Sequence, residues 1–206
     1  RVEARDAEIG AWACLAAERA REQARAIDAG RRSGRPAGPL AGLPVGVKDI
    51  IDTADMPTEN GTPIDAGRRP RRDASLVSRL RAAGAVLPGK TVTTELAFLT
   101  PAQTRNPRDP SRTPGGSSSG SAAAVACGMV PLAVGTQTGG SVIRPVADCG
   151  VVGFKPTHGL IGRTGVLTTS LPLDTVGVFA RSVEDAALLG DVLAGYDPED
   201  PASRAE

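Results

Sequence analysis

Apolar positions change from helix-like to strand-like spacing several times along the chain, which predicts alternating elements of both kinds. Residues 6–29 carry apolar side chains at helical spacing, with Arg and Glu on the other face, and Gly30 follows them. This pattern is typical of one amphipathic helix. A loop rich in Gly and Pro over 31–42 and a short apolar strand over 43–52 come next.

The second half of the chain continues this alternation. Residues 73–84 are predicted to form a helix, with Asp73 as its N-terminal cap and Gly84 at its end. The polar residues 196–206 are expected to fray. The other predicted elements are a strand over 85–92, a helix over 117–127, strands over 129–135 and 150–155, and a helix over 182–194 with Ser182 and Asp185 as its capping box. Strands that alternate with helices predict an α/β fold.

Composition and charge argue against several classes of function. The chain has 206 residues, a formal net charge of +1 and no apolar run of membrane-spanning length. Neither nucleic acid nor a membrane is therefore expected as a direct partner. One histidine and three cysteines without C-x-x-C spacing argue against a metal site, and no cofactor is expected. Free thiols favour a reducing, cytoplasmic location.

Two clusters of glycine and serine lie within residues 113–145, and no other part of the chain is so rich in Gly, Ser and Thr. In the first cluster, Gly115 and Gly116 precede three serines; in the second, residues 139–141 read Gly-Gly-Ser. A glycine backbone can come close to a ligand, and the hydroxyls beside it can react or donate hydrogen bonds. Such loops are also common surface connectors, so the clusters alone leave both interpretations open.

A lysine inside an apolar strand is the second unusual feature. Lys48 follows Val45, Gly46 and Val47. On an edge strand, such a lysine would extend its amine to water. In the interior it would have a lowered pKa and could act as a base.

One motif matches a nucleotide-binding pattern without the context that the pattern needs. Residues 84–91, Gly-Ala-Val-Leu-Pro-Gly-Lys-Thr, fit the phosphate-binding loop G-x-x-x-x-G-K-[ST]. That loop requires a strand before its first glycine and a helix after its last residue. Here a predicted helix ends at Gly84, so nucleotide binding is not expected.

Three kinds of nucleophile compete. The segment Gly-Ser-Ser-Ser-Gly over 116–120 matches G-x-S-x-G, with Ser118 as nucleophile and His158 as its base. That motif needs a preceding strand, which is missing from the pattern here. A cysteine nucleophile is disfavoured because the candidate thiols lie among small apolar residues. The third interpretation makes Lys48 the base for serines of both clusters.

At these residues the sequence resembles the amidase signature family. The resemblance covers about residues 9–195 and rests on four motifs, each weak alone but highly specific in this order. They are Pro44-Val45-Gly46-Val47-Lys48-Asp49, Pro114-Gly115-Gly116-Ser117-Ser118-Ser119-Gly120-Ser121-Ala122-Ala123, Gly135-Thr136-Gln137-Thr138-Gly139-Gly140-Ser141-Val142-Ile143-Arg144-Pro145, and Cys149-Gly150-Val151-Val152-Gly153-Phe154-Lys155-Pro156-Thr157. The resemblance implies a mixed β-sheet covered by helices.

The resemblance also implies a Ser–cis-Ser–Lys site. By motif, Ser141 is the nucleophile, Lys48 is the base, and Ser117, after a cis bond to Gly116, links them by hydrogen bonds. The implied oxyanion hole consists of the N–H groups of Thr138, Gly139, Gly140 and Ser141, and the implied supports are Ser118 and Arg144. The expected partner is a small-molecule amide substrate, and a homodimer is a possible assembly.

Two positions depart from the pattern of many family members. Gln137 stands where many carry Asp, and Arg144 lies three residues after Ser141 instead of two. A recognisable subgroup of the family shares both features, so the implied chemistry is unchanged.

Family members are much longer than this chain. Residues 1–206 are therefore expected to form the N-terminal part of a single amidase signature domain, with a helical segment over 6–29 and a catalytic core over 43–195. This part would carry all three catalytic residues without a complete substrate site, and its open sheet edge would make it unstable alone.

Amide hydrolysis by an amidase is the leading functional hypothesis, and two others stay open. One is the ammonia-generating glutaminase subunit of a tRNA-dependent amidotransferase, although residues 96–106 lack the polar run expected there. The other is an inactive fragment that only binds, although no residue of the implied triad is missing.

Overall fold

The fold is built on a sheet in which successive residues of a strand face two different hydrophobic cores. In the computed structural model, which describes residues 1–204, Leu132 and Val134 belong to one hydrophobic cluster, and Ala133 between them belongs to another. Successive side chains of a strand point to opposite faces, so helices cover the sheet on both sides. This confirms the predicted α/β fold with a mixed sheet.

Helices and strands alternate along most of the described chain, joined in places by short 3-10 turns. In chain order they are α1 (Val2–Ile9), β1 (Trp12–Leu15), α2 (Ala17–Arg32), β2 (Val45–Lys48), α3 (Ser75–Ala82), β3 (Gly89–Thr91), α4 (Ser119–Ala126), β4 (Leu132–Gln137), α5 (Ile143–Cys149), β5 (Val152–Phe154), β6 (Thr175–Ala180) and α6 (Val183–Leu193). Of the helices within residues 1–204, none is long and apolar enough to cross a membrane.

The order of the strands brings two chain segments to one edge of the sheet. The order is β1-β3-β2-β4-β6-β5. β2 lies between β3 and β4 and is parallel to both, whereas β1, β6 and β5 run antiparallel to their neighbours. The carboxyl ends of β2 and β4 therefore meet at the same edge. Lys48 ends β2 there, next to the loop that follows Gln137.

The single helix predicted over 6–29 is wrong, because a strand interrupts it. α1 ends at Gly10, whose φ of 64° is in the left-handed region and whose N–H donates to Asp6 O at 2.7 Å. Trp12 then pairs with Thr91 of β3 and is buried. Helical spacing placed Trp12 on the apolar face of a helix, but pairing at the sheet edge determines its actual conformation.

The sequence pattern did not predict β6 or α5. Every residue of β6 is buried, so the strand lacks the polar alternation that marks a half-exposed strand. α5 has only seven residues and contains Pro145, which further weakens its helical pattern. β6 owes its form to pairing with β4 and β5 within the sheet, and α5 to packing against β5 and α4.

Two smaller predictions are also wrong. Asp73 does not cap α3; the N-cap is Ala74, and the Asp73 carboxylate accepts hydrogen bonds from Ala54 N and Arg81 Nε instead. The segment 196–204 does not fray, because Asp200 is buried and pairs with Arg163. Residues 205–206 of the predicted fraying tail lie outside the described residues. By contrast, Ser182 caps α6 as predicted, accepting from Asp185 N at 3.1 Å.

The Arg163–Asp200 ion pair is expected to stabilise this segment. Arg163 Nε and Nη2 donate to the two carboxylate oxygens at 2.9 and 2.8 Å, and these bonds lower the pKa of Asp200 to about 2. In the full-length protein, Asp200→Asn should therefore lower the free energy of unfolding by about 1–3 kcal/mol in urea titrations. Glu199→Gln is the control, since its partner Arg72 is exposed, and it should change little. Equal effects of the two substitutions would contradict this account.

Candidate active site

The amine of Lys48 lies at the centre of the candidate site. Lys48 is fully buried at the end of β2, so it is not the solvated edge-strand lysine that remained an alternative. Its Nζ lies 2.7 Å from Ser117 Oγ and 2.9 Å from Thr136 Oγ1. Among the ion pairs of residues 1–204, none includes Lys48. Burial lowers the pKa of Lys48 to about 7, and the negative charge of Asp174 partly opposes this effect.

A second buried lysine on the neighbouring strand has different surroundings. Lys90 Nζ lies 3.2 Å from Asp49 Oδ1 and donates to Thr58 Oγ1 at 2.6 Å. It is thus held in an ion pair, whereas Lys48 has only hydroxyl partners. Lys90 belongs to the phosphate-binding pattern over 84–91, and its contacts are those of a structural lysine within the fold.

The first glycine-serine cluster is fixed from several directions. The Gly116–Ser117 peptide bond is cis. Arg144 Nε and Nη2 both donate to Gly116 O, at 3.1 and 2.8 Å. Ser118 Oγ donates to Thr136 O at 3.1 Å and accepts from Thr136 N at 3.3 Å. These bonds tie the cluster to the end of β4 and to the first turn of α5.

A glycine in β4 permits the close approach of this cluster. A Cβ at Gly135 would lie 2.7 Å from Ser118 Oγ and 2.9 Å from a ring carbon of Phe179. A side chain there would displace the serine segment from the strand.

The second cluster forms a loop with free backbone donors. Gln137 Oε1 accepts from Val142 N and Ile143 N, at 2.9 and 3.0 Å, and so closes the loop over 138–141. Among the hydrogen bonds of residues 1–204, none uses the N–H of these four loop residues. A Cβ at Gly139 or Gly140 would meet no atom within 4 Å. The loop therefore presents unpaired donors to open space, as an oxyanion hole requires.

The two clusters lie side by side, but the expected contact between Ser117 and Ser141 hydroxyls is not made. Within the described residues, no hydrogen bond joins Ser117 Oγ to Ser141 Oγ. The clusters are joined instead through Ser118 N, which lies 3.4 Å from Ser141 O. Ser141 is largely buried. The predicted residues are thus brought to one place, with Lys48 in direct contact with Ser117.

Two residues at this place were missed by sequence reasoning. Thr136 contacts Lys48 through its hydroxyl and Ser118 through its backbone. The sequence did hold a signal for Thr136, because a hydroxyl at the end of a buried strand needs a hydrogen-bond partner. Thr136 also lies inside a recognised motif. Asp174 accepts from the hydroxyl of Thr138 and lies just before β6. No local sequence pattern indicated Asp174, since β6 itself was not predicted.

The competing nucleophiles find no support in the geometry. The ring of His158 contacts Leu171 O and Arg163 Nη1, and within residues 1–204 it bonds to neither serine cluster. Burial raises the pKa of Cys149 to about 12, with the charge of Asp148 adding to the effect. Burial likewise raises the pKa of Cys127. These thiols are poor nucleophiles near neutral pH.

The fold and motifs agree with comparison to known proteins. The chain belongs to the Amidase family, whose model matches residues 1–206. The resemblance to amidase signature proteins is thereby confirmed.

Similar proteins include a subunit of an amidotransferase and a peptide amidase. The chain is 48% identical to the A subunit of the glutamyl-tRNA(Gln) amidotransferase of Thermobifida fusca over 204 residues, covering 96% of this chain and 41% of that one. It is similar to the native peptide amidase of Stenotrophomonas maltophilia, with 41% identity, a TM-score of 0.92, and coverage of 98% and 44%. It also matches a structure from a vestigial protein complex related to an s-triazine catabolic enzyme, with 43% identity, a TM-score of 0.95, and coverage of 100% and 46%. The chain thus spans less than half the length of each of these relatives.

The contrast between the two buried lysines gives a stability prediction. Lys90→Met would leave Asp49 buried without its ion-pair partner and should destabilise the full-length protein by about 3–5 kcal/mol. Lys48→Met removes an amine that has hydroxyl partners but no ion pair within residues 1–204, so it should cost less stability than Lys90→Met. Chemical unfolding of both variants beside wild type measures the difference. A large loss of stability in Lys48→Met, equal to that in Lys90→Met, would contradict it.

Proposed function

We propose that this chain carries the catalytic groups of an amidase that hydrolyses a carboxylic amide to an acid and ammonia or an amine. The supporting observation is the contact between the buried amine of Lys48 and Ser117 Oγ, with no carboxylate bound to that amine within the described residues. A lysine with a pKa of about 7 is neutral in a substantial fraction of molecules near neutral pH, so it can act as a general base, and the serine beside it can pass it a proton.

In the proposed reaction, a proton moves from Ser141 through Ser117 to Lys48. The neutral amine has a lone pair that can accept the Ser117 proton, while its own hydrogen is donated to Thr136 Oγ1. Ser117 in turn takes the proton of Ser141 when the two hydroxyls approach on substrate binding. Ser141 Oγ then attacks the amide carbon, and a new C–O bond forms.

The loop over 138–141 would hold the negative charge that develops on the substrate oxygen. The N–H groups of Thr138, Gly139, Gly140 and Ser141 are the proposed donors. Collapse of the tetrahedral intermediate breaks the C–N bond, and the nitrogen leaves with the proton held by Lys48. Water then attacks the acyl carbon and gives one proton to the neutral Lys48 amine; the C–O bond to Ser141 breaks, Ser141 regains that proton through Ser117, and the acid is released.

Ser118 and Arg144 have supporting roles in this proposal. Ser118 bonds to both backbone groups of Thr136, and Arg144 bonds to Gly116 O. Neither needs to exchange a proton. Each keeps one serine cluster in place relative to β4 and α5.

A narrower function is the glutaminase activity of one subunit of an amidotransferase. The similarity to the Thermobifida fusca protein favours it, and glutamine is itself a carboxylic amide. The chemistry at Lys48, Ser117 and Ser141 would be the same, so the two functions differ in the substrate and in the need for partner proteins. An inactive fragment that only binds is disfavoured, since all three residues are present.

We also infer a reducing, cytoplasmic setting for this protein. Three cysteines, Cys14, Cys127 and Cys149, are free, as a reducing compartment favours. The homodimer expected from the resemblance stays a prediction.

Active-site labelling tests the proposed nucleophile and base together. A fluorophosphonate probe should label Ser141 of the full-length protein, as shown by mapping the modified peptide. Lys48→Ala should slow labelling at least ~100-fold, the usual contribution of a general base. The rate should rise as the pH increases through about 7, because only the neutral amine can accept a proton.

His158→Ala is the matched control for this experiment and should label at the wild-type rate, since its ring contacts Arg163 and Leu171 O. Labelling of Ser118, or loss of labelling in His158→Ala, would replace this proposal with a Ser-His hydrolase. Reversible binding of amides with no labelling at any serine would indicate an inactive binding protein.

Substrate choice separates the two amide-hydrolysing functions. Release of ammonia or amine should be measured with aliphatic, aryl and peptide amides and with glutamine, using Ser141→Ala as the blank. An amidase should hydrolyse at least one of the other amides faster than glutamine and without added partner proteins. Preference for glutamine, dependent on such partners, would instead establish the amidotransferase function.

A further inference from the structure

The carboxylate of Asp174 is buried and bound to three neutral donors. Its Oδ1 accepts a hydrogen bond from Thr138 Oγ1, and its Oδ2 accepts from Thr169 N and Ser170 N at 2.7 and 2.8 Å. The residue is only 7% exposed. A buried carboxylate without a bound cation is uncommon, because the ionised form loses its hydration.

The neighbouring arginine does not bind this carboxylate directly. Arg163 Nη1 donates to the backbone oxygen of Asp174 at 3.1 Å, and its other nitrogens bind the carboxylate of Asp200. His158 contacts Arg163 as well. Within residues 1–204, no ion pair includes the carboxylate of Asp174.

Asp174 lies where the candidate base and the oxyanion loop come together. β4 and β6 are antiparallel, with Gln137 opposite Thr175, so Asp174 stands beside Thr138 at the sheet edge. Thr136, two residues before Thr138, contacts Lys48. The charge of Asp174 also raises the pKa of Lys48, against the larger lowering caused by burial.

We propose that Asp174 is a positioning residue that acts on both halves of the site: it holds Thr138 at the start of the oxyanion loop, and its charge compensates the ammonium that forms on Lys48. This inference rests on the proposed function. When Ser141 attacks, Lys48 gains a proton in a buried place with only hydroxyl partners. A negative charge nearby that takes part in no ion pair within residues 1–204 lowers the energy of that state.

Two other nearby carboxylates are held in ion pairs, since Asp49 binds Lys90 and Asp200 binds Arg163. Arg144 donates to the backbone oxygen of Gly116. Asp174 is the carboxylate whose charge raises the pKa of Lys48.

The test separates the charge of Asp174 from its hydrogen bond. Asp174→Asn removes the charge and keeps the shape, so fluorophosphonate labelling of Ser141 should slow, and the midpoint of its pH profile should move to lower pH. Thr138→Val removes the hydrogen bond and keeps the charge. It should slow the plateau rate by about 10-fold, a fraction of the loss of a direct oxyanion donor, without moving the midpoint. Thr138→Ser retains the hydroxyl and should restore the rate.

Each outcome supports or overturns the inference. An unchanged midpoint in Asp174→Asn, or an equal shift in Thr138→Val, would overturn the assignment of the charge. If Asp174→Asn is too unstable to measure, the Thr138→Val and Thr138→Ser variants provide the test. Equal labelling rates of Ser141 in these two variants would overturn the role of the hydrogen bond. Absence of Ser141 labelling in wild type would overturn the proposed function and this inference together, whereas failure of the inference alone leaves wild-type labelling intact.

Discussion

Burial of the Lys48 amine, which is in no ion pair within residues 1–204, is the constraint on which the rest of the site depends. Taking a charged amine out of water is unfavourable, so the pKa of Lys48 is lowered to about 7, and a substantial fraction of the amine is uncharged near neutral pH. It can remain buried because Ser117 Oγ and Thr136 Oγ1 satisfy its hydrogen bonds. Lys90, one strand away, shows a different arrangement, in which burial lowers the pKa of the lysine and an ion pair with Asp49 opposes that effect. The same residue type therefore has a structural role on β3 and the proposed role of a base on β2.

The order of the strands in the sheet places the other groups of the site around Lys48. Because β2 and β4 are parallel neighbours, their carboxyl ends bring Lys48 beside the loop over 138–141. α4 packs on one face and delivers the first serine cluster, and Gly135 gives it the room to do so. Asp174 adds a link from β6, so that three strands and one helix hold the groups that would react.

How much the sequence predicted depends on whether a feature is local or is imposed by packing. Lys48, both serine clusters and the α/β class could be read from residue types and motifs. The break between α1 and α2 could not, because Trp12 has helical spacing but pairs with β3. β6 could not, because full burial removes the alternation by which a strand is recognised. Asp174 was missed for the same reason, because its contact with Thr138 depends on the position of β6.

The most direct test of this account is the pKa of Lys48 in the full-length protein. Lysine labelled with ¹³C at Cε gives one NMR signal for each lysine, and this chain contributes three, from Lys48, Lys90 and Lys155. Lys48→Met assigns the signal by removing it. The account predicts a midpoint near 7 for the Lys48 signal, as burial of an unpaired amine requires. A Lys48 signal that remains that of an ammonium up to about pH 10 would contradict it, because a charged amine cannot take the serine proton.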